Sequence, residues 1–268
     1  MTGAVQVACP DGAVLVAQTE GIGPDLLLVS GLGGTAEFWN PVAAHWVKRF
    51  RVMRFDQRGI GASSRGTASC TINQLAEDCL RVLNAVGSRQ AIMLGHSTGG
   101  CILQTLALRA PDRLAALVLS GAWARPSRYL VELFAARWRL LDLSPREYAA
   151  ITAFLSYTPA WIEENWSQVA AGLSRAPESI EARKVLAERI EALTTFDRSA
   201  EIGRIKIPTL VIGAEDDQIV PAFMQRDLAS LIPGAELRLL PSGAHFFPVT
   251  RTEAFTAAVE SWLGRLTS

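Results

Sequence analysis

The sequence predicts an α/β protein built on a mostly parallel sheet, and three observations carry that expectation. Short apolar runs alternate with segments of helical period, as in a sheet flanked by helices. One run, Ala91-Ile92-Met93-Leu94, ends in Gly95-His96-Ser97-Thr98-Gly99 and passes at once into a second apolar segment, a strand–turn–helix pattern. From Trp123 to about Gly203 the strand pattern stops, and it returns at Ile207.

Taken in order, the candidate strands are Ala13–Gln18, Leu26–Ser30, Arg51–Phe55, Ala91–Leu94, Ala115–Ser120, Ile207–Ile212 and Leu237–Leu240. After Cys70, a helix places Ile72, Leu75, Cys79, Leu83 and Val86 on one face, and the last helix does so with Phe255, Val259, Trp262 and Leu266. Thr98 to Arg109 is apolar on most sides and reads as a buried helix. In the strand-free stretch, Pro126, Pro145, Pro159 and Pro177 each mark a helix start. The implied organisation is a core of residues 1–123 and 204–268 with a helical cap, 124–203, inserted over the sheet.

Composition bounds the function classes. At about 150 residues per domain, 268 residues suit one α/β domain carrying an insertion. The 26 Lys+Arg balance the 26 Asp+Glu, so nothing draws nucleic acid or an anionic membrane. The longest near-apolar stretch, Leu114 to Ala124, falls well short of the roughly 18 residues of a transmembrane helix. The first residues lack a basic start and carry Asp11 early, unlike a signal peptide. Cys9, Cys70, Cys79 and Cys101 have no CxxC spacing and read as buried thiols in a reducing cytosol, not as disulfides or zinc ligands. The expected setting is cytoplasmic, without membrane or nucleic-acid partners; a homodimer stays open.

One Gly-rich loop invites a nucleotide reading. Gly31-Leu32-Gly33-Gly34-Thr35-Ala36 follows a strand, with Asp56 twenty residues beyond Ala36, the layout of a dinucleotide fingerprint. Two features count against it. Such a loop opens directly into a helix, whereas Glu37-Phe38-Trp39-Asn40-Pro41 intervene here. The loop also follows the second or third strand, not the first.

The chemistry centres on Gly95-His96-Ser97-Thr98-Gly99. In G-x-S-x-G the serine sits on a tight turn that exposes its Oγ, and glycines two residues either side avoid collision. The helix starting at Thr98 aims free N–H groups at the same spot. A serine hydroxyl needs a base. Of three histidines, His96 is expected to point away from the turn, and His45 reads as a packed helix-face residue. His245, in a loop between a strand and the last helix, could reach over the sheet edge. Glu215, Asp216 and Asp217 follow the preceding strand and could supply the orienting carboxylate, giving the order Ser, acid, His. The Gly31–Gly34 loop then gains a role: the backbone N–H of Leu32 pairs with that of Thr98 as an oxyanion hole.

Together these motifs resemble the α/β-hydrolase superfamily across nearly the whole chain: the Gly31–Gly34 loop, the Asp56-Gln57-Arg58-Gly59-Ile60-Gly61-Ala62-Ser63 turn, Gly95-His96-Ser97-Thr98-Gly99-Gly100, and the strings around Asp217 and His245. The resemblance implies an eight-stranded, mostly parallel sheet with a helical cap after the sixth strand. It assigns the acid to Asp217, with Asp216 second. Ser30 departs from the histidine that many members carry in the oxyanion loop, which puts the support of that loop in question. The Ser30-Gly31-Leu32-Gly33-Gly34 start, the Asp56-Gln57-Arg58-Gly59 turn and the segment Phe154 to Trp166 are similar to the aminoacrylate hydrolases of pyrimidine degradation, with enol-lactonases as near neighbours.

The expected function is that of a cofactor-independent serine hydrolase. It would cleave an ester, enol-lactone or amide/enamine-type bond in a small, carboxylate-bearing metabolite, with Ser97, Asp217 and His245 as triad. Trp123, Arg125 and Arg128, where the cap leaves the core, are the expected substrate contacts, while Arg137 and Arg139 read as solvated helix-face residues. Two alternatives remain: a C–C hydrolase of ring-cleavage diketones, and a ligand-binding or sensing protein on the same fold.

Overall fold

A computed structural model describes residues 3–266. Eight strands form one sheet: β1 (Gly3–Ala8), β2 (Val14–Glu20), β3 (Asp25–Val29), β4 (Arg51–Asp56), β5 (Ala91–His96), β6 (Leu114–Ser120), β7 (Thr209–Ala214) and β8 (Glu236–Leu240). Their spatial order is β1-β2-β4-β3-β5-β6-β7-β8. β2 runs antiparallel to β1 and to β4, and every pairing from β4 onward is parallel. This agrees with the eight-stranded, mostly parallel sheet that the resemblance implies. β1 is the strand that the apolar pattern did not reveal. It lies at the sheet edge, every second residue is exposed, only Val7 is fully buried, and Gly3 and Ala4 are weak strand formers.

Helices cover both faces, which is why the central strands read as continuous apolar runs. The chain-order helices are α1 (Asn40–Trp46), α2 (Ile72–Ala85), α3 (Thr98–Arg109), α4 (Arg128–Leu143), α5 (Pro145–Ser156), α6 (Pro159–Glu164), α7 (Trp166–Leu173), α8 (Ile180–Thr194), α9 (Ala222–Leu231), α10 (Phe247–Thr250) and α11 (Thr252–Leu266). On one face Leu27, Met53, Met93, Leu117 and Val211 pack against α2, α3 and α9. On the other, the alternate residues Leu26, Leu28, Leu94, Val118 and Ile212 pack against Trp39, Trp46, Phe255 and Trp262. The period of two along each strand thus divides the core into two layers. Leu266, expected on the buried face of α11, is exposed.

Five helices, α4 to α8, lie between β6 and β7. Pro145 and Pro159 open α5 and α6 as expected. Pro126 and Pro177 instead sit just outside α4 and α8, whose first turns are capped by Ser127 and Ser179 accepting the backbone N–H three residues on. The four cysteines are buried and free. Among the described residues no helix is long and apolar enough to cross a membrane.

The turn after β4 is fixed by a buried ion-pair network. The Arg58 guanidinium, with no exposed side-chain surface, donates to both oxygens of Asp78 at 2.6 and 2.7 Å and to Asp11 at 2.7 Å. Arg58→Met leaves the buried Asp78 charge without its main partner, so it is expected to destabilise the fold by about 3–5 kcal/mol, read as a fall in denaturation midpoint. The hydrogen bond from Arg58 holds the Asp11 carboxyl well below the usual carboxylate range, against the opposing effect of its own burial. Stability from this pair is therefore present above an ordinary aspartate pKa of about 4 and is lost as pH falls below it. The variant should show a shallower loss of stability on acidification; an acid limb as steep as that of wild type would refute the assignment.

Candidate active site

Because β3 to β8 run parallel, their carboxyl ends gather on one edge, where such sheets bind ligands. The Gly31–Gly34 loop leaves β3, Ser97 leaves β5, Asp217 follows β7 and His245 follows β8.

Ser97 occupies the turn between β5 and α3 with φ 56° and ψ −124°, a conformation that L side chains rarely adopt. Its neighbours show why the flanking residues are glycine. A Cβ on Gly95 would lie 2.3 Å from the Gly99 carbonyl oxygen, and one on Gly99 would lie 2.2 Å from that of Val29. A Cβ on Gly31 would come within 3.0 Å of the Ser97 Cβ, so the β3 loop grazes the serine. Neither the Leu32 nor the Thr98 backbone N–H has a hydrogen-bond partner among the described residues. One of these donors follows Ser97 directly in the chain, and the other belongs to the loop that grazes it.

His245 lies in a turn where Ala244 has φ 53°. Its Nδ1 meets Asp217 Oδ2 at 2.8 Å, and both side chains are almost wholly buried. The other Asp217 oxygen accepts the N–H groups of Ile219 (2.8 Å) and Val220 (2.9 Å). With every donor aimed at it, the carboxylate is held in one orientation, and an Nδ1–H tautomer leaves Nε2 free to act as a base. Asp216 does something else: it accepts the N–H groups of Gly243 (3.1 Å) and Ala244 (2.9 Å), so it holds the backbone of the His245 loop. Glu215 pairs with Arg226 at the surface. Ser97 and His245 line the same cavity without a direct hydrogen bond, a contact that often tightens only around substrate.

Two histidines sit elsewhere than expected. His96 does not point away: its ring packs 4.8 Å from that of His245 and 5.0 Å from that of Phe38, in the cavity wall. Burial, and then the proximity of His245, push its pKa well below the usual histidine value. The ring is therefore a neutral wall, with Nδ1 on Ser120 Oγ at 3.0 Å. His45 is largely exposed and faces Glu260.

Asp56, the acidic residue of the nucleotide-like pattern, accepts the N–H groups of Ala36 (2.8 Å) and Ala62 (2.9 Å), and so ties two turns together. Support for the β3 loop does not need a histidine at Ser30. Ser30 Oγ donates to the Thr35 carbonyl at 2.5 Å, and Gln57 Nε2 donates to the Ser30 carbonyl at 2.7 Å. From α8, Arg189 donates to the carbonyls of Leu32 (2.9 Å) and Gly31 (3.2 Å) and to Gln57 Oε1.

The cavity around Ser97 has a volume of about 530 Å³ and is walled by the β3 loop, α4, α5, α7 and the His245 loop. Trp123, Arg125 and Arg128 do not line it, which corrects the expectation for all three. Trp123 is buried in the main core, its carbonyl accepting from Gln104 at 2.9 Å. Arg125 is exposed and pairs with Asp227 of α9 at 3.3 Å, and Arg128 opens α4 as an exposed residue. Two arginines do line the cavity, the largely exposed Arg175 and the buried Arg137, and the latter was expected to face solvent. The missed signal is its spacing: Leu130, Phe134, Arg137 and Leu141 form one buried stripe of α4. An arginine inside an apolar stripe is not a surface residue.

Known proteins agree with this architecture. The family described as the alpha/beta hydrolase fold matches residues 24–252. A protein of Azorhizobium caulinodans named carbamate hydrolase RutD is 32% identical over 255 residues, which is 95% of this chain and 96% of that protein. The crystal structure of a hydrolase from Pseudomonas aeruginosa PA01 shares 33% identity, with a TM-score of 0.88 over 98% of both chains. An enol-lactonase from Burkholderia xenovorans LB400 shares 27% identity, with a TM-score of 0.86 over 94% of this chain and 97% of its own. The chain belongs to the α/β hydrolase family.

Proposed function

We propose that the protein is a serine hydrolase that cleaves an ester, enol-lactone or amide/enamine-type bond in a small, carboxylate-bearing metabolite. The observation that carries this reading is His245, paired with the buried Asp217, lining the same strand-end cavity as Ser97 and the Leu32 loop. In this mechanism Ser97 Oγ attacks the carbonyl carbon as His245 Nε2 takes its proton, and Asp217 fixes the imidazole. The Leu32 and Thr98 N–H groups receive the developing oxyanion. His245 then returns the proton to the leaving group, and a water activated by the same histidine releases the acid.

Residues 124–203 serve in this reading as a cap that closes the cavity over the sheet edge. A volume of about 530 Å³ suits a small metabolite. The relatives' names, carbamate hydrolase and enol-lactonase, favour acyl chemistry on such molecules.

The test is a hydrolysis panel of p-nitrophenyl esters, enol-lactones, amides and ring-cleavage diketones, with fluorophosphonate labelling in parallel. Short acidic esters or enol-lactones should turn over in preference to esters with acyl chains of about eight or more carbons, and one label should appear on Ser97. Labelling of Ser63 or Ser64 would end the assignment; their hydroxyls already accept the Val16 and Val14 N–H groups. Turnover confined to diketones would favour C–C hydrolysis. Tight binding of one ligand without turnover would favour a sensor.

A further inference from the structure

Arg137 is the one charged group of the cavity that nothing neutralises. It is 4% exposed and lines the cavity from α4. Its Nη2 donates to Thr152 Oγ1 at 2.9 Å and reaches Tyr148 Oη at 3.5 Å, both neutral groups on α5. Nε is buried and has no hydrogen-bond partner. Among the described residues no carboxylate lies within ion-pairing distance of it, whereas the other cavity arginine, Arg175, is largely exposed and pairs with Glu37.

The guanidinium is also held in place. It lies 4.7 Å from the centre of the Phe134 ring and 5.2 Å from that of Tyr148. Burial lowers its pKa, with Tyr148 acting in the opposite direction, but an arginine in this setting keeps its proton. A buried charge without a counter-ion is costly to leave unmatched. Aromatic faces and one hydroxyl compensate only part of that cost. A site so arranged gains most from a ligand that brings its own negative charge, and a planar carboxylate matches the planar donor fork. Nearby, the buried Ser156 Oγ also lacks a partner, which leaves a second polar contact on the same wall.

We propose that Arg137 is the substrate-specificity residue, holding a carboxylate of the substrate against the cap wall while the scissile carbonyl rests at Ser97. The inference deepens the serine-hydrolase reading and rests on it for the second half of that statement. It places the substrate among acids carrying a free carboxylate apart from the bond that is cleaved. The exposed Arg125 and Arg128 have no part in it.

The experiment compares monomethyl glutarate with dimethyl glutarate, two esters that differ in one negative charge. Arg137→Gln should lower kcat/KM for the monoester roughly 30- to 5,000-fold, the range for removing one partner of a buried charge pair, mainly through KM. The diester should be unaffected, as should the rate at which a neutral fluorophosphonate labels Ser97. Glutarate itself should shield Ser97 from that label in the wild type and fail to do so in the variant. Equal losses on the two esters with labelling intact would overturn the proposal, and so would shielding that survives the substitution. Should Arg137→Gln fail to label at all, Thr152→Val decides: a loss of about fivefold confined to the monoester supports the site, and an equal loss on both esters refutes it. If the wild type neither labels nor hydrolyses any ester, the hydrolase reading fails separately, and calorimetric binding of glutarate to wild type but not to Arg137→Gln still tests the carboxylate site.

Discussion

Ser97→Ala is expected to lower kcat by about 10⁶ on whichever substrate the panel identifies, with the melting temperature unchanged or slightly raised. The size follows from how a triad works: once the nucleophile is gone, its base and orienting acid have nothing to activate, and the loss approaches that of removing all three. The stability expectation comes from the local structure. Ser97 Oγ makes no hydrogen bond within the described residues, and the bond from the Ser97 backbone N–H to the Ser120 carbonyl (2.7 Å) survives the substitution. The unusual backbone, φ 56°, is as strained for alanine as for serine because both carry a Cβ. Turnover measured beside thermal denaturation separates the two effects. A variant that keeps more than about a hundredth of wild-type activity, well above the 10³–10⁴-fold residual catalysis that binding and an oxyanion hole leave, would show that another group attacks the carbonyl.

The sheet was legible because its chemistry is repetitive. Short apolar runs such as Leu26–Val29 and Ala116–Leu119 are buried on both faces and look alike wherever they occur. β1 escaped because an edge strand with one solvated face needs no apolar run, and its pairing with β2 comes from the backbone. The same logic separates the candidate site residues. Ser97 and His245 stand out in the sequence because glycine spacing and loop position constrain them locally. The choice between Asp216 and Asp217 depends on which of two adjacent carboxylates turns inward, a fact of tertiary geometry.

Arginine gave the least reliable reading. Charge and nearness to the core boundary favoured Arg125 and Arg128, yet exposure disposes of both. Arg137 and Arg189 face inward from α4 and α8 as single charges within apolar stripes, and each meets a partner that sequence could not name. For Arg189 that partner is the backbone of the β3 loop. A helix between β6 and β7 therefore braces the loop that carries the Leu32 N–H. This bracing answers the question raised by Ser30: support that a histidine would give from within the loop comes instead from Gln57 and from Arg189 of α8.

Asp217→Asn should cost about 10⁴ in kcat, and Asp216→Asn at least about tenfold less. The two carboxylates are neighbours in sequence and both are hydrogen-bonded, so their functions separate only through what they touch. Asp217 receives one bond from the His245 ring and two from backbone N–H groups. An amide there can still satisfy Ile219 and Val220 through its oxygen, but it then presents an N–H to His245 Nδ1. The ring must answer with the other tautomer, placing its proton on Nε2, where the base is needed. Asp216 touches no ring. Its two bonds, to the N–H groups of Gly243 and Ala244, hold a turn in which both residues have positive φ. An amide keeps one of those bonds and sets an N–H against the donor of the other, a loss of about 1.5–3 kcal/mol for a charge-assisted contact. Asp216→Asn should therefore lower the melting temperature clearly and kcat modestly, as the His245 loop loosens. Asp217→Asn should reduce kcat far more than its effect on folding would explain. Measuring kcat and melting temperature for both variants decides the matter: a larger kcat loss at Asp216, with its stability intact, would move the orienting role by one residue.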